Sequence, residues 1–269
     1  MKAMHIDDVL DRAHVVSLPL AVRFRGITTR EALLIDGPAG WGEFAPFLEY
    51  GPAESAAWLR AGIEAAFTGL PEAHGTVEVN GTIPAVEDVA PVLARYPGVT
   101  TFKIKVAEQG QSLDDDLRRV AAVRKLRPDA RLRVDANRGW TANEAMEVLR
   151  RTEGLGLSLL EEPCDAKEAM SRRRLVEKSP IPVVGDESVP TAGDASRELL
   201  AGGCNAICIK TARSGFTEAQ EILGLCTGLG VDVTMGNQID TQVGSLATVT
   251  FGAAFEAQWR IPSFVAMTE

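Results

Sequence analysis

The 269-residue sequence contains only three histidines, and all of them lie in its first third: His5, His14 and His74. A zinc site built from histidine side chains, or a Ser-His-Asp triad, is therefore not expected. The four cysteines have no CxxC spacing and lie among apolar residues: Cys164, Cys204, Cys208 and Cys226. This pattern argues against a cysteine metal motif and favours reduced, buried thiols, as in cytoplasmic proteins.

Long apolar runs and an excess of basic residues are also missing. No stretch approaches the ~20 apolar residues that a membrane helix needs. The first residues, MKAMHIDDVLDRAH, lack the apolar core of a secretory signal. With 28 basic against 37 acidic residues, the formal net charge is −9. We therefore expect neither nucleic acid nor a membrane as a partner.

From about residue 76, short strand-like runs alternate with helical segments. The runs begin every 24–31 residues: TVEVNGTI (76–83), TTFKIKV (100–106), RLRVDAN (131–137), LSLLEEP (157–163), IPVVGDE (181–187), NAICIK (205–210) and VDVTMGN (231–237). This spacing predicts a parallel sheet of the α/β class, and seven or eight such units predict a closed (β/α) barrel. None of the runs is followed by GxGxxG or GxxxxGK[ST], which disfavours an open nucleotide-binding sheet.

The first 75 residues have a different pattern. LDRAHVVSLPLAVRFRG and REALLIDGPAGWGEFAPF predict antiparallel strands, and ESAAWLRAGIEAAF predicts a helix. We therefore predict two parts, an α+β region at residues 1–75 and a barrel at residues 76–269. The loop at 41–50, WGEFAPFLEY, is too apolar for an exposed loop and is expected to cover another part of the molecule.

Charged and amide side chains concentrate where the strands end, which is where (β/α) barrels build their active sites. They are Lys103, Lys105, Arg133, Asp135, Asn137, Glu161, Asp186 and Lys210. Three carboxylates without histidine or cysteine form a hard oxygen site suited to Mg²⁺. A lysine beside a divalent ion and other lysines has a lowered pKa and can act as a base. The pattern predicts metal-assisted removal of a proton next to a substrate carboxylate.

Taken in order, the motifs KIKV, RVDAN, LLEEP, GDES and ICIK resemble those of the enolase superfamily, in its muconate-lactonizing subgroup. The likeness runs from about residue 15 to residue 250. It implies a modified (β/α)7β TIM-type barrel with an N-terminal α+β capping domain. WGEFAPF, VNGTIPA, KIKVAE and RVDANRGW further resemble the actinobacterial o-succinylbenzoate synthase family. That family dehydrates 2-succinyl-6-hydroxy-2,4-cyclohexadiene-1-carboxylate through an enediolate in menaquinone synthesis.

The resemblance implies a role for each polar residue. Lys105 would remove the α-proton and then assist hydroxide departure, while Lys210 would stabilise the enediolate from the opposite face. Mg²⁺, or Mn²⁺ in its place, would be held by Asp135, Glu161 and Asp186. The residues expected to support or surround these groups are Lys103, Arg133, Asn137 and Glu187. Glu161 is preferred over Glu162 because strand alternation turns only one of the two inward.

The substrate pocket would combine the apolar loop with the stretch after the seventh strand: Phe44, Phe47, Tyr50 and Asn237. The expected partner is a small-molecule carboxylate, and no oligomeric state is predicted. The arginines at 172–174 are expected to form a solvated helix face.

The sequence also departs from the synthase pattern. The family usually carries a Ser-Ser-x-x-Glu-like stretch after strand seven, where this chain has MGNQIDTQ (235–242). The chain ends at FEAQWRIPSFVAMTE, so the C-terminal part of the cap is expected to be absent. The alternatives left open are an N-acylamino acid racemase or dipeptide epimerase, a cycloisomerase with the same chemistry, and an inactive barrel with a binding role.

Overall fold

The computed structural model describes residues 5–24, 27–255 and 265–266. The N-terminal part is a three-stranded antiparallel sheet, β1–β2–β3, preceded by a short helix and followed by a longer one. Its elements are α1 (Ile6–Leu10), β1 (Ala13–Phe24), β2 (Ile27–Gly37), β3 (Gly40–Phe44) and α2 (Pro52–Ile63), which continues into a π-helical turn (Glu64–Thr68). The predicted strands and helix of the cap are confirmed.

The second part is one parallel sheet of eight strands with helices between them. Its order is β10-β9-β8-β7-β6-β5-β4-β11, so neighbours in the sheet are mostly neighbours in sequence. The strands are β4 (Asn80–Ile83), β5 (Thr101–Lys105), β6 (Arg131–Asp135), β7 (Leu157–Glu161), β8 (Val183–Gly185), β9 (Ala206–Ile209), β10 (Asp232–Met235) and β11 (Val265–Ala266). Eight strands and their intervening helices make the predicted (β/α)7β architecture.

The helices lie where the predicted units place them. They are α3 (Ala90–Leu93), α4 (Leu113–Leu126), α5 (Ala142–Arg151), α6 (Ala169–Lys178), α7 (Ala192–Ala201), α8 (Thr211–Ser214), α9 (Phe216–Leu229) and α10 (Gln242–Ala254). Thr141 is the N-cap of α5. Its side chain accepts a hydrogen bond from the Glu144 backbone amide, which satisfies a donor that the first turn leaves free. Within the described ranges, no helix combines the length and apolar composition that a membrane crossing requires.

Strand burial explains why this sheet forms. Every residue of β4 and β9 is buried, as expected for parallel strands covered on both faces. The first strand of the parallel sheet, β4, begins at Asn80, four residues later than the sequence pattern suggests, and residues 76–79 have no regular structure. The division between cap and barrel at residues 75 and 76 stays a prediction.

The cap is closely packed where α2 crosses β3. A Cβ added to Gly42 would lie 1.9 Å from the carbonyl oxygen of Gly62, and one added to Gly62 would lie 2.8 Å from the Glu43 carbonyl oxygen. Backbone therefore meets backbone at this crossing, and neither position has room for a side chain.

We expect Gly42→Ala to lower the free energy of unfolding by about 3 kcal/mol, because the added methyl forces α2 away from β3. Chemical denaturation measures this loss. Gly224→Ala is the matched control, since Gly224 lies in α9 with no atom within 4 Å of the new Cβ. That control should be neutral or stabilise the protein by up to about 1 kcal/mol. Equal effects of the two substitutions would contradict the close-packing argument.

Candidate functional site

The parallel register brings the predicted residues to one end of the sheet. Lys105, Asp135 and Glu161 are Cα partners in turn across β5, β6 and β7. Asp186 directly follows β8 and Lys210 directly follows β9. All five groups therefore lie at the carboxyl ends of adjacent strands, where loops of this fold form an active site.

The three carboxylates are paired with lysines. Lys105 Nζ lies 2.5 Å from Asp135 Oδ2, and Lys103 Nζ lies 3.2 Å from that same oxygen. Lys103 also donates to Glu161 Oε1 at 3.0 Å, while Lys210 donates to Asp186 Oδ2. Each ammonium group compensates a carboxylate that burial would otherwise make costly.

These contacts set the protonation of the site. Burial favours the neutral form of Asp135, but the charges of Lys105 and Lys103 outweigh it and hold its pKa below the ordinary value. Asp186 behaves in the same way, and Lys210 and Arg213 lower its pKa to about 2 despite burial. Glu161 differs, because burial and the charge of Asp135 raise its pKa to about 7.

The two predicted catalytic lysines have opposite shifts. Burial lowers the pKa of Lys105, and the charges of Lys103 and Lys210 lower it further, against the pull of Asp135. Burial also acts to lower the pKa of Lys210, but Asp186 outweighs it and raises that pKa above its ordinary value. Lys105 is therefore the lysine better suited to be a neutral base, and Lys210 the one better suited to stay a cation.

The predicted neighbours lie around Lys105. Its ammonium donates to Asn137 Oδ1 at 2.7 Å, and Asn137 Nδ2 donates to Glu187 Oε1 at 2.8 Å. Asn137 has φ = 43°, in the left-handed region, and its backbone N–H donates to Asp135 Oδ1. Arg133 lies in β6 two residues before Asp135 and is buried. Burial lowers the pKa of its guanidinium to about 10.

The site has a donor set that fits a divalent cation. Carboxylate oxygens of Glu161 and Asp186, together with Cys208 Sγ, lie within 4.8 Å of one another. Asp186 Oδ1 is buried and accepts no hydrogen bond from the described residues, although Arg213 Nη1 lies 3.1 Å away. Asp135 borders this group as the Cα partner of Glu161. Oxygen ligands on three adjacent strands suit a hard ion.

Two neighbours of the site had no role assigned from the sequence: Arg213, which was not considered, and Glu162, which was weighed only as an alternative to Glu161. Arg213 donates from Nη2 to the Asp186 backbone carbonyl at 2.7 Å and ion-pairs with its side chain. Glu162 is fully buried with φ = 37°, and its Oε2 accepts from the amides of Asp186 and Ser188 and from Ser188 Oγ. Glu162 therefore shapes the loop that carries Asp186. Its place beside Glu161 in LLEEP was the available signal.

The prediction that Arg172 belongs to a solvated helix face is wrong. Its side chain is 1% exposed and lies 3.8 Å from Glu162 Oε1 and 3.3 Å from Glu198 Oε2. The buried carboxylate of Glu162, directly after β7, requires a cation, and Arg172 on α6 supplies it. The neighbouring Arg173 is exposed as expected and pairs with Glu177 along the helix.

The apolar segment 41–50 packs onto the barrel end, but only residues 45–50 are a loop, because residues 41–44 belong to β3. Phe47 forms a buried cluster with Trp58 and Ile239, and Phe44 and Tyr50 pack against it. Ile239 belongs to the loop after β10, so the cap loop covers part of the strand-end region. Asn237 in the same β10 loop donates from Nδ2 to Ser245 Oγ, and its Oδ1 has no partner among the described residues. The structure thus joins Phe44, Phe47 and Tyr50 in one cluster, and it places Asn237 in the same loop as Ile239 of that cluster.

Acidic residues from the cap and the barrel meet beside this cluster. Glu43 on β3 accepts from the backbone amides of Thr241 and Gly244 at the start of α10. Asp240 accepts only a 3.3 Å bond, from the Gln238 amide, and its Oδ1 is buried without a hydrogen-bond partner among the described residues. Burial and the charge of Glu43 raise the pKa of Asp240 from 3.8 to about 7.

Comparisons with known proteins show the family to which the chain belongs. Residues 86–267 match the family described as enolase C-terminal domain-like, and residues 15–66 match enolase N-terminal domain-like. The o-succinylbenzoate synthase of Mycolicibacterium smegmatis is 44% identical over 243 residues, which cover 89% of this chain and 74% of that protein. The synthase of Mycobacterium leprae is 44% identical over 254 residues, covering 93% and 74%.

Solved structures show the same fold. A muconate lactonizing enzyme from Mycobacterium smegmatis, complexed with muconolactone, is 29% identical with a TM-score of 0.80, covering 94% of this chain and 86% of that one. The L-Ala-D/L-Glu epimerase of Bacillus subtilis has the same TM-score at 24% identity, covering 94% and 88%, and indicates the fold alone.

Asp240→Asn tests the buried carboxylate next to the site. Because the pKa of Asp240 is higher in the folded chain than in the unfolded one, ionisation costs stability as the pH rises from about 4 to about 7. Above pH 7 this cost is present in full. We therefore expect Asp240→Asn to raise Tm by several degrees more at pH 8 than at pH 4. Asp129→Asn is the control, because it removes a carboxylate that is exposed at a turn. An Asp240→Asn protein whose Tm gain is no larger at pH 8 than at pH 4 would contradict the argument.

Proposed function

Because the chain belongs to the o-succinylbenzoate synthase family of the enolase superfamily, we propose that it dehydrates 2-succinyl-6-hydroxy-2,4-cyclohexadiene-1-carboxylate to 2-succinylbenzoate. The observation that carries this proposal is the arrangement of lysines around three carboxylates, in a chain 44% identical to two such synthases. The reaction needs a base beside the α-carbon and a cation that balances charge on the substrate carboxylate.

Lys105 is the base in this proposal. Its lowered pKa favours the neutral amine, which takes the proton from the carbon that bears the carboxylate. The electron pair of that C–H bond moves into the carboxylate and gives an enediolate. The resulting Lys105 ammonium then returns its proton to the departing hydroxyl, so that water leaves as the C–O bond breaks and the ring becomes aromatic. One lysine can do both because a syn elimination uses one face of the ring.

Lys210 would act by charge. Its raised pKa keeps the ammonium protonated, and Asp186 fixes its position at the end of β9. From there its positive charge would balance the negative charge on the enediolate. This electrostatic stabilisation is strongest in a site that excludes water. Asn137 and Glu187 would hold Lys105 at its place through their hydrogen bonds.

The proposed cofactor is Mg²⁺, for which Mn²⁺ can substitute. Asp135, Glu161 and Asp186 would hold it, and the bound ion would supply Lewis-acid stabilisation of the substrate carboxylate. Lys103 and Arg133 support these ligands from the deeper layer of the barrel, since Lys103 already contacts two of the three carboxylates. The buried thiols fit a reducing compartment, and we propose the cytoplasm as the place of action.

A racemase or epimerase of N-acylated amino acids is the second candidate. The observation that favours it is the placement of Lys105 and Lys210 on separate strands around one carboxylate cluster, since a racemase needs two bases. The opposed pKa shifts of the two lysines favour dehydration instead. A cycloisomerase would use the same residues. In an inactive barrel with a binding role these residues would have no catalytic role.

Removing a metal ligand should abolish turnover. We expect Asp186→Asn, or treatment with a chelator, to reduce kcat by roughly 10³-fold or more, because the substrate carboxylate loses its Lewis acid. Titration with Mn²⁺ should show weaker binding to the variant by calorimetry. Asp129→Asn, which removes an exposed carboxylate, should retain both properties. Full activity in chelator would exclude the proposed metal dependence.

Substitution of the two lysines separates dehydration from racemisation. We expect Lys105→Ala to abolish dehydration, and Lys210→Arg, which keeps the charge without a usable base, to retain more activity than Lys210→Ala. The measurement is turnover of the cyclohexadiene acid, with solvent-deuterium uptake into N-succinyl amino acids as the parallel assay. Deuterium entry from both faces, with the cyclohexadiene acid left unchanged, would favour the racemase.

A further inference from the structure

We infer that Arg30 is a positioning residue that holds the two loops of the substrate pocket in one fixed arrangement. Arg30 lies on β2 in the cap and is 4% exposed. The two loops, which we call the cap loop (residues 45–51) and the β10 loop (residues 236–241), come from different parts of the fold and contain no helix or strand. The inference deepens the proposed function and rests on it.

The hydrogen bonds of Arg30 join both loops. On the β10 loop, its Nε donates to the Ile239 carbonyl at 2.9 Å and its Nη2 donates to the Gln238 carbonyl at 3.2 Å. On the cap loop, its Nη2 donates to the Ala45 carbonyl and its Nη1 donates to the Pro46 carbonyl at 3.4 Å. One planar guanidinium therefore fixes the distance between two backbone segments, which a flexible lysine cannot do.

Two further observations concern the residues that Arg30 contacts. Ile239 has φ = 59°, a conformation that β-branched residues rarely adopt and that persists only where the surroundings enforce it. The bond from Arg30 holds the carbonyl of that same residue. The guanidinium carbon also lies 4.7 Å above the ring of Phe47, so Arg30 orients an aromatic side chain of the cap loop as well.

The β10 loop leads directly to the reacting groups. A Cβ built on Gly236, its first residue, would lie 3.1 Å from Lys210 Cε and 3.1 Å from Cys208 Sγ. A displacement of this loop therefore changes the space beside Lys210. Because Arg30 contacts neither the lysines nor the three carboxylates in the bonds above, its loss should act on substrate binding rather than on the proton-transfer groups.

Arg30→Met, Arg30→Lys and the control Arg12→Met test this role. Arg12 is another cap arginine that donates to a single backbone carbonyl, that of Asp36, away from both loops. For Arg30→Met we expect KM for the cyclohexadiene acid to rise about tenfold while kcat stays within about threefold. Amide hydrogen exchange should become about tenfold faster in both loops together and unchanged in β5–β7. Arg12→Met should change neither measurement.

Arg30→Lys keeps the charge and distinguishes positioning from electrostatics. We expect Arg30→Lys to be more stable than Arg30→Met. KM should nevertheless stay raised, and at least one loop should stay less protected from amide hydrogen exchange, since an ammonium cannot span both segments. An Arg30→Lys protein with wild-type KM and exchange would overturn the inference, as would exchange that rises throughout the cap. If the wild-type protein does not dehydrate the acid, the proposed function fails, and the exchange of the two loops alone then supports or overturns the role of Arg30.

Discussion

The structure depends on the balance of buried charge at the carboxyl end of the parallel sheet. Three carboxylates and three ammonium groups share this region, and each carboxylate has a lysine within ion-pair distance. An unpaired charge there would destabilise the fold, whereas a paired one is tolerated. The in-register alignment of β5, β6 and β7 makes the pairing possible, because it brings residues distant in sequence into one row. Around this row the pKa of Lys105 is lowered, whereas the pKa values of Lys103 and Lys210 are raised by the neighbouring carboxylates.

Backbone strain is concentrated at this same end. Among the described residues, five non-glycine positions have positive φ: Ala107, Asn137, Arg138, Glu162 and Ile239. All five follow strands of the parallel sheet, after β5, β6, β7 and β10. Strained backbone persists only where neighbouring contacts enforce it, and Ala107, Asn137 and Ile239 each have a hydrogen bond from or to a side chain at this point. The loops that carry the chemistry are thus held in conformations that an isolated segment would leave.

The cap contributes to the site through polar contacts as well as through apolar packing. Glu43 caps the first turn of α10, and Arg30 joins the cap loop to the β10 loop. Both act on the loop after β10 and on the start of α10. Phe47 is only 4% exposed within this interface, so it is part of the packing that holds the loops as much as part of the pocket.

The sequence by itself determined the strand–helix period, the α/β class and the candidate carboxylates and lysines. These follow from local rules, since a strand has period two and barrel strands end in functional groups. It did not determine the partners of Arg172, Arg30 or Asp240, because each contacts residues from elements far away in the chain. Arg172 is predicted to be solvated because its helix is rich in charged residues, yet it is buried beside the carboxylate of Glu162, which directly follows β7. Only tertiary structure decides such cases, since the cost of burying a charge depends on which opposite charge the fold brings to it.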